Sequence, residues 1–142
     1  MYKTIVLALD GSGPSDKALA AASPLAKLTG SHIVAVHVVE HVAAGPSNAP
    51  PAHSDEQDLR AKIEAQIASL KGSGIDASLR VENVILGGPA KAIADVAREL
   101  HADLIVTGTR GHSAVAGLII GSVAQRLLHL APCPVLVVPA HD

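Results

Sequence analysis

Leu104-Ile105-Val106-Thr107-Gly108-Thr109-Arg110-Gly111, followed after nine residues by Gly121-Ser122, decides the fold. The run from Asp103 to Thr107 is short and rich in β-branched residues, and its apolar residues fall on both parities of a pleat. That is the pattern of a strand buried on both faces. It ends in glycines. A helix is expected from about Ser122 to Leu130, and Val135-Leu136-Val137-Val138 is a second solid apolar run. Strand, glycine loop, helix and strand in this order form a unit of a parallel sheet, because parallel strands need a crossover between them.

The same alternation extends upstream. Ile5 to Leu9 is continuously apolar and ends at Asp10-Gly11-Ser12-Gly13. A helix is predicted from about Pro14 to Leu28, stopped by Gly30, with Pro24 implying a kink or a restart. Ile33 to Val39 is a second β-branched strand. The segment from His41 to His53 carries Gly45, Pro46, Asn48, Pro50 and Pro51 and reads as a long loop. Ser54 and Gln57 form a capping box for a helix over roughly Asp55 to Leu70, with Leu59, Ile63, Ile67 and Leu70 on one face. Ile75 to Ile85 reads as a third strand. Its mixed pattern suits a sheet edge. Gly88-Pro89 opens a helix carrying Ile93, Val96, Ala97 and Leu100. The expectation is one α/β domain over residues 1–142: a doubly wound, mostly parallel five-stranded sheet in the order 3-2-1-4-5, with helices on both faces.

Composition narrows the function. The chain has 142 residues, of which 49% are hydrophobic and 17% charged, a globular balance. Tyr2 is the one aromatic residue, which removes the stacking platforms that single-stranded nucleic acid requires. The net charge of -2 gives no bulk attraction to a phosphate backbone, so no nucleic-acid partner is expected. The single cysteine excludes an intrachain disulfide and a multi-cysteine metal site, and points to a reducing compartment. No run of about 18 apolar residues is present and no leader pattern precedes Met1-Tyr2-Lys3, so a cytoplasmic protein without a membrane partner is expected.

In open parallel sheets, ligands bind outside the carboxyl ends of the strands. Two loops sit there: Asp10-Gly11-Ser12-Gly13 and the glycine-spaced segment from Gly108 to Ser122. If strands one and four are neighbours, the loops face one crevice. Glycines admit a ligand to the main-chain amides, and the helix after Gly121 presents unpaired N–H groups and a positive dipole end. Together they describe an anion cradle. Three familiar motifs fail. A P-loop needs lysine before the serine of Gly121-Ser122, a dinucleotide fingerprint needs glycine where Asp16 stands, and an esterase elbow needs glycine where Val115 stands.

Gly108-x-x-Gly111, nine residues, then Gly121-Ser122 resembles the nucleotide-binding signature of the universal stress protein family, in its ATP-binding group. Ala8-Leu9-Asp10-Gly11-Ser12, His37-Val38 and Ala131-Pro132-Cys133-Pro134-Val135-Leu136-Val137-Val138 match further. The resemblance implies ATP, ADP or AMP as ligand, with or without Mg²⁺, and no metal held by the protein itself. It places Asp10 near the ribose or the metal-linked phosphates, and Ala8 and Val38 around adenine. Thr107, Gly108 and Gly111 fall at the ribose and phosphate turn, and Gly121, Ser122 and Val123 at the triphosphate. It also implies a homodimer through Val135 to Val138 and a stress-response regulatory role.

Each residue has a plainer reading. Gly108 alone would serve close packing, Asp10 a turn and Ser122 a helix cap. Arg110 and His112 would be exposed loop charges, His37 a satisfied core histidine and Cys133 a buried filler. Two other functions compete. One is a slow ATPase or phosphotransferase, for which no base beside a lysine cradle is visible. The other is a nucleotide-free dimeric interaction module.

Overall fold

The structure is a computed structural model that describes residues 2–41, 53–109 and 120–140. Its elements are β1 (Thr4–Ala8), α1 (Gly13–Thr29), β2 (His32–Glu40), α2 (His53–Gly72), β3 (Ala77–Val84), α3 (Gly88–Glu99), β4 (Leu104–Gly108), α4 (Ser122–Leu130) and β5 (Val135–Val138). The strands form one sheet in the order β3-β2-β1-β4-β5. Every neighbouring pair is parallel.

The central strands are apolar on both parities because each face is covered. Ile5, Leu7, Ile33, Ala35, Leu104 and Val106 pack with Ala18, Ala22 and Ala26 of α1 and Ile63, Ile67 and Leu70 of α2. Val6, Val34, Val36 and Ile105 pack on the other face with Ile93, Val96 and Ala97 of α3 and Leu127 of α4. The fully buried α1 residues of this cluster are alanines, with Leu19 and Leu25 packed at its margin, so that helix lies close to the sheet. With no large aromatic ring available, tight approach of small side chains supplies the density.

Local departures from the sequence expectation have physical reasons. Helix α1 runs through Pro24 without restarting. Proline removes the N–H that would serve the Ala20 carbonyl, but Ala20 and Pro24 are both exposed, so water can satisfy that oxygen. The helix ends at Gly30, whose N–H donates to the Ala26 carbonyl at 2.8 Å. Ile75 is not in β3. It is buried in the turn leaving α2, its N–H donating to the Leu70 carbonyl, so its apolar character serves the core and not a ladder. β3 also stops one residue before Ile85, and it is an edge strand as expected. Its polar parity is used: Arg80 pairs with Glu82 on the same strand and with Glu99 of α3. Helix α2 starts at His53, which puts Ser54 inside its first turn. The Ser54 side chain needed for a capping box lies outside the described residues.

Asp103 ties β4 to β1. Its Oδ2 accepts from the Lys3 amide at 2.7 Å and the Thr4 amide at 3.0 Å. The Thr4 and Lys3 amides hold its carboxyl below the usual carboxylate range. A depressed folded value means that the stabilisation is present above the unfolded value of about 3.9 and is lost as pH falls through the folded one. Asp103→Ala is therefore expected to lower Tm at neutral pH. The gap to the parent should close on acidification from about pH 5 to about pH 2. A gap that stays constant in a pH series of thermal melts would refute this.

Candidate functional site

The tips of β1, β2 and β4 meet at the carboxyl edge. β1 lies between β2 and β4, with Ala8 opposite Val36 and Leu7 opposite Val106. The proviso that strands one and four be neighbours is met. Ala8 from β1, Val38 from β2 and Val123 from α4 all border the apolar cluster beneath α3 and α4. Thr107 lies two residues beyond Ile105, so the alternation of the strand aims it at the same face. Its hydroxyl is buried, and its contact with the Gly108 carbonyl, at 3.4 Å, is long for a hydrogen bond. Four expected site residues from four elements thus stand on one face of the sheet at one end.

The loop after β1 is organised by its own side chains. Asp10 Oδ1 accepts from the Ser12 amide at 2.9 Å and from the Ser12 hydroxyl. The Ser15 hydroxyl accepts from the Asp10 amide at 3.2 Å. Ser12 caps α1 by accepting from the Ser15 amide. The turn-forming reading of Asp10 is therefore realised, and the network holds its carboxylate at the tip of the strand.

Gly108 meets its plainer reading as well. A Cβ there would stand 2.6 Å from the Pro14 carbonyl oxygen and 2.9 Å from its carbon. The end of β4 therefore abuts the first turn of α1, and this close approach brings the two loops together.

The far end of the glycine segment differs from expectation in one respect. Gly121, and not Ser122, is the N-cap of α4, and among the described residues no side chain caps that helix. Ser122 is its first residue and is exposed. The Gly121 amide donates to the Thr109 carbonyl, and the Thr109 amide donates to Val138 of β5 at 2.9 Å. The first intrahelical bond of α4 runs from the Gln125 amide to the Gly121 carbonyl at 3.0 Å. The amides of Ser122, Val123 and Ala124 precede it and have no intrahelical acceptor. So α1 arrives at the crevice capped by a side chain, while among the described residues no side chain meets the first amides of α4. Gly111, Arg110 and His112 lie outside the described residues, as does most of the loop from His41 to His53.

Several neighbours make contacts that the sequence did not signal. His37 is buried, with Nδ1 3.3 Å from the Leu9 carbonyl and Nε2 2.7 Å from Glu56 Oε1, so its core reading holds. Lys62 Nζ donates to the Gly11 carbonyl at 2.8 Å and to Asp16 Oδ2 at 3.1 Å. Leu59 was legible as one of the apolar face of α2, but its contact with Gly11 was not. Cys133 is half-buried; burial and then the nearby Asp103 charge push its thiol up, away from thiolate reactivity.

Other clusters do not compete as chemical sites. The cleft between β3 and α3 is lined by Arg80, Glu82, Lys91, Asp95 and Glu99. Those charges pair with one another. Ser78, His32 and Asp76 line up at the opposite end of the sheet, with Ser78 Oγ 3.0 Å from His32 Nε2. His32 Nδ1 comes within 2.8 Å of Asp76 but makes no hydrogen bond, and Asp76 is 81% exposed. A general base oriented that loosely does not activate a serine. Among the described residues no helix is long and apolar enough to cross a membrane.

Comparison with known proteins agrees with this geometry. A universal stress protein of Thermus aquaticus is 38% identical over 140 residues, covering 97% of this chain and 99% of the relative. The crystal structure of a universal stress family protein from Burkholderia pseudomallei superposes with a TM-score of 0.75 at 32% identity, covering 97% of this chain and 96% of the other. A universal stress protein in complex with cAMP superposes with a TM-score of 0.72 at 25% identity, covering 99% and 98% of the two chains. The model of the universal stress protein family matches residues 1–139. With the family model, the identity to its members and the fold in agreement over nearly the full length, this chain belongs to the universal stress protein family.

Proposed function

We propose that the protein binds an adenine nucleotide (ATP, ADP or AMP) across the tips of β1, β2 and β4, and that residues 1–142 act as one nucleotide-binding regulatory domain. The observation that carries this reading is the N-terminus of α4, which no described side chain caps, presented where the Gly121 amide bonds the Thr109 carbonyl. Ala8 and Val38 offer a small apolar wall for a base, and Thr107 a hydroxyl for a sugar. Gly108 and Gly111 are assigned to the turn at the ribose and phosphates. Gly121, Ser122 and Val123 supply main-chain N–H groups to phosphate oxygens. Asp10, held by Ser12, sits at the sugar or beside a Mg²⁺ that arrives with the nucleotide. The complex of a relative with cAMP supports the adenine nucleotide class.

The role is regulatory and not that of a dedicated enzyme. Asp10 is engaged by its own turn, and at most slow hydrolysis is expected of this set. In this reading the protein is cytoplasmic and acts in stress response as a homodimer through β5. That strand is an edge of the sheet, and Leu136 on it is 40% exposed.

Thermal melts with added nucleotide test the proposal. At one hundred times Kd, ligand binding adds about 2.7 kcal/mol. For a domain of this size that corresponds to a rise in Tm of roughly 5–11 °C. The rise is expected with ATP and not with GTP. No shift at millimolar ATP would leave the nucleotide-free dimeric module as the function.

A further inference from the structure

Three successive contacts from α2 converge on the loop that carries Asp10. Glu56 bonds His37, which in turn bonds the Leu9 carbonyl. Leu59 fills the space above Gly11, where a Cβ would stand 2.0 Å from Leu59 Cδ2. Lys62 donates to the Gly11 carbonyl. Positions 56, 59 and 62 are spaced three apart, so they share one side of the helix. Leu9 to Gly11 is thus held from the α1–α2 face of the sheet, opposite the face on which Ala8, Val38 and Val123 border the crevice. Gly11 itself is left-handed, with φ +79°, so the turn is a shape that needs holding.

We propose that the N-terminal half of α2 is the positioning element of the nucleotide loop, acting through the Glu56–His37 relay, Leu59 and Lys62. This rests on the adenine nucleotide reading above. His37 links the two: one ring nitrogen faces the Leu9 carbonyl and the other faces Glu56, so loss of either partner frees one end of the relay and loosens the loop.

The test uses the full chain and the variants Glu56→Ala, Glu56→Gln and Lys62→Met, with two readouts: amide exchange at residues 10–12 without nucleotide, and ATP affinity. Glu56→Ala and Lys62→Met are expected to speed exchange at the loop and weaken ATP several-fold. Glu56→Gln keeps a hydrogen-bonding group opposite His37 Nε2 in either tautomer, so it should restore both. Unchanged exchange in Glu56→Ala and Lys62→Met would overturn the proposal. So would failure of Glu56→Gln to restore the exchange of the parent. If the parent itself binds no ATP, the nucleotide reading fails, and the exchange readout alone still decides whether α2 holds the loop.

Discussion

Gly108→Ala is expected to lower Tm by up to roughly 10 °C and to abolish the ATP-dependent shift. A single methyl group has this effect because of what it meets. The nearest atoms to a Cβ at this position are the carbonyl oxygen and carbon of Pro14, at 2.6 and 2.9 Å. These are main-chain atoms in the first turn of a helix capped by Ser12, and they cannot rotate aside. In a strand, replacing glycine by alanine would otherwise gain about 0.5–1 kcal/mol through reduced unfolded-state freedom. Overpacking against an immobile partner costs about 1–3 kcal/mol and outweighs that gain. The relief available is to move the start of α1 away from β4, which separates the loop of Asp10 from the glycine segment. Binding is lost with the crevice. Gly13→Ala is the matched control: nothing lies within 4 Å of a Cβ there, and the first turn of α1 accepts alanine. Equal behaviour of the two variants in melts with and without ATP would refute the claim that Gly108 joins the two loops.

Ser122→Asp is expected to move stability and binding in opposite directions. Ser122 is the first residue of α4, no described side chain caps the helix, and the position is exposed. A carboxylate in the first turn answers the helix dipole and should stabilise the ligand-free protein by about 0.3–1 kcal/mol. The same charge stands where phosphate oxygens are to be held. A like charge about 4 Å away costs up to roughly 4 kcal/mol near a protein surface, and salt reduces it. ATP affinity should therefore fall at least tenfold, about 1.4 kcal/mol, while the ligand-free Tm rises slightly. Isothermal titration and thermal melts on one preparation check both. If Ser122 matters to helix α4 alone, Tm rises and affinity is unchanged, and the phosphate role is wrong.

These expectations differ in how far the sequence leads to them. The strands were legible because each is a short apolar run closed by a turn, and both faces of a parallel sheet must be buried. The exceptions are instructive. Ile75 and Ile85 have the composition of strand residues, yet one plugs the core beside α2 and the other is 75% exposed beyond the end of β3. Residue type reports burial or its absence poorly at element ends. Pro24 reads as a break, and the exposure of Ala20 removes the penalty that would make it one. Ser122 reads as a cap because serine so often is one, but the chain enters α4 through Gly121, which takes the extended capping conformation itself.

The amino-acid order alone determined the α/β class, the sequence of elements, the glycine segment between β4 and α4, and the family resemblance, because those are properties of residues near one another along the chain. The tertiary structure decided what each loop leans on. Lys62 and Gly11 are 51 residues apart, and Glu56 lies 19 residues from His37. Gly108 meets Pro14 although β2, β3 and two helices lie between them in the chain. Contacts of that range depend on how helices settle on the two faces of the sheet, and no local pattern encodes the resulting separation of atoms.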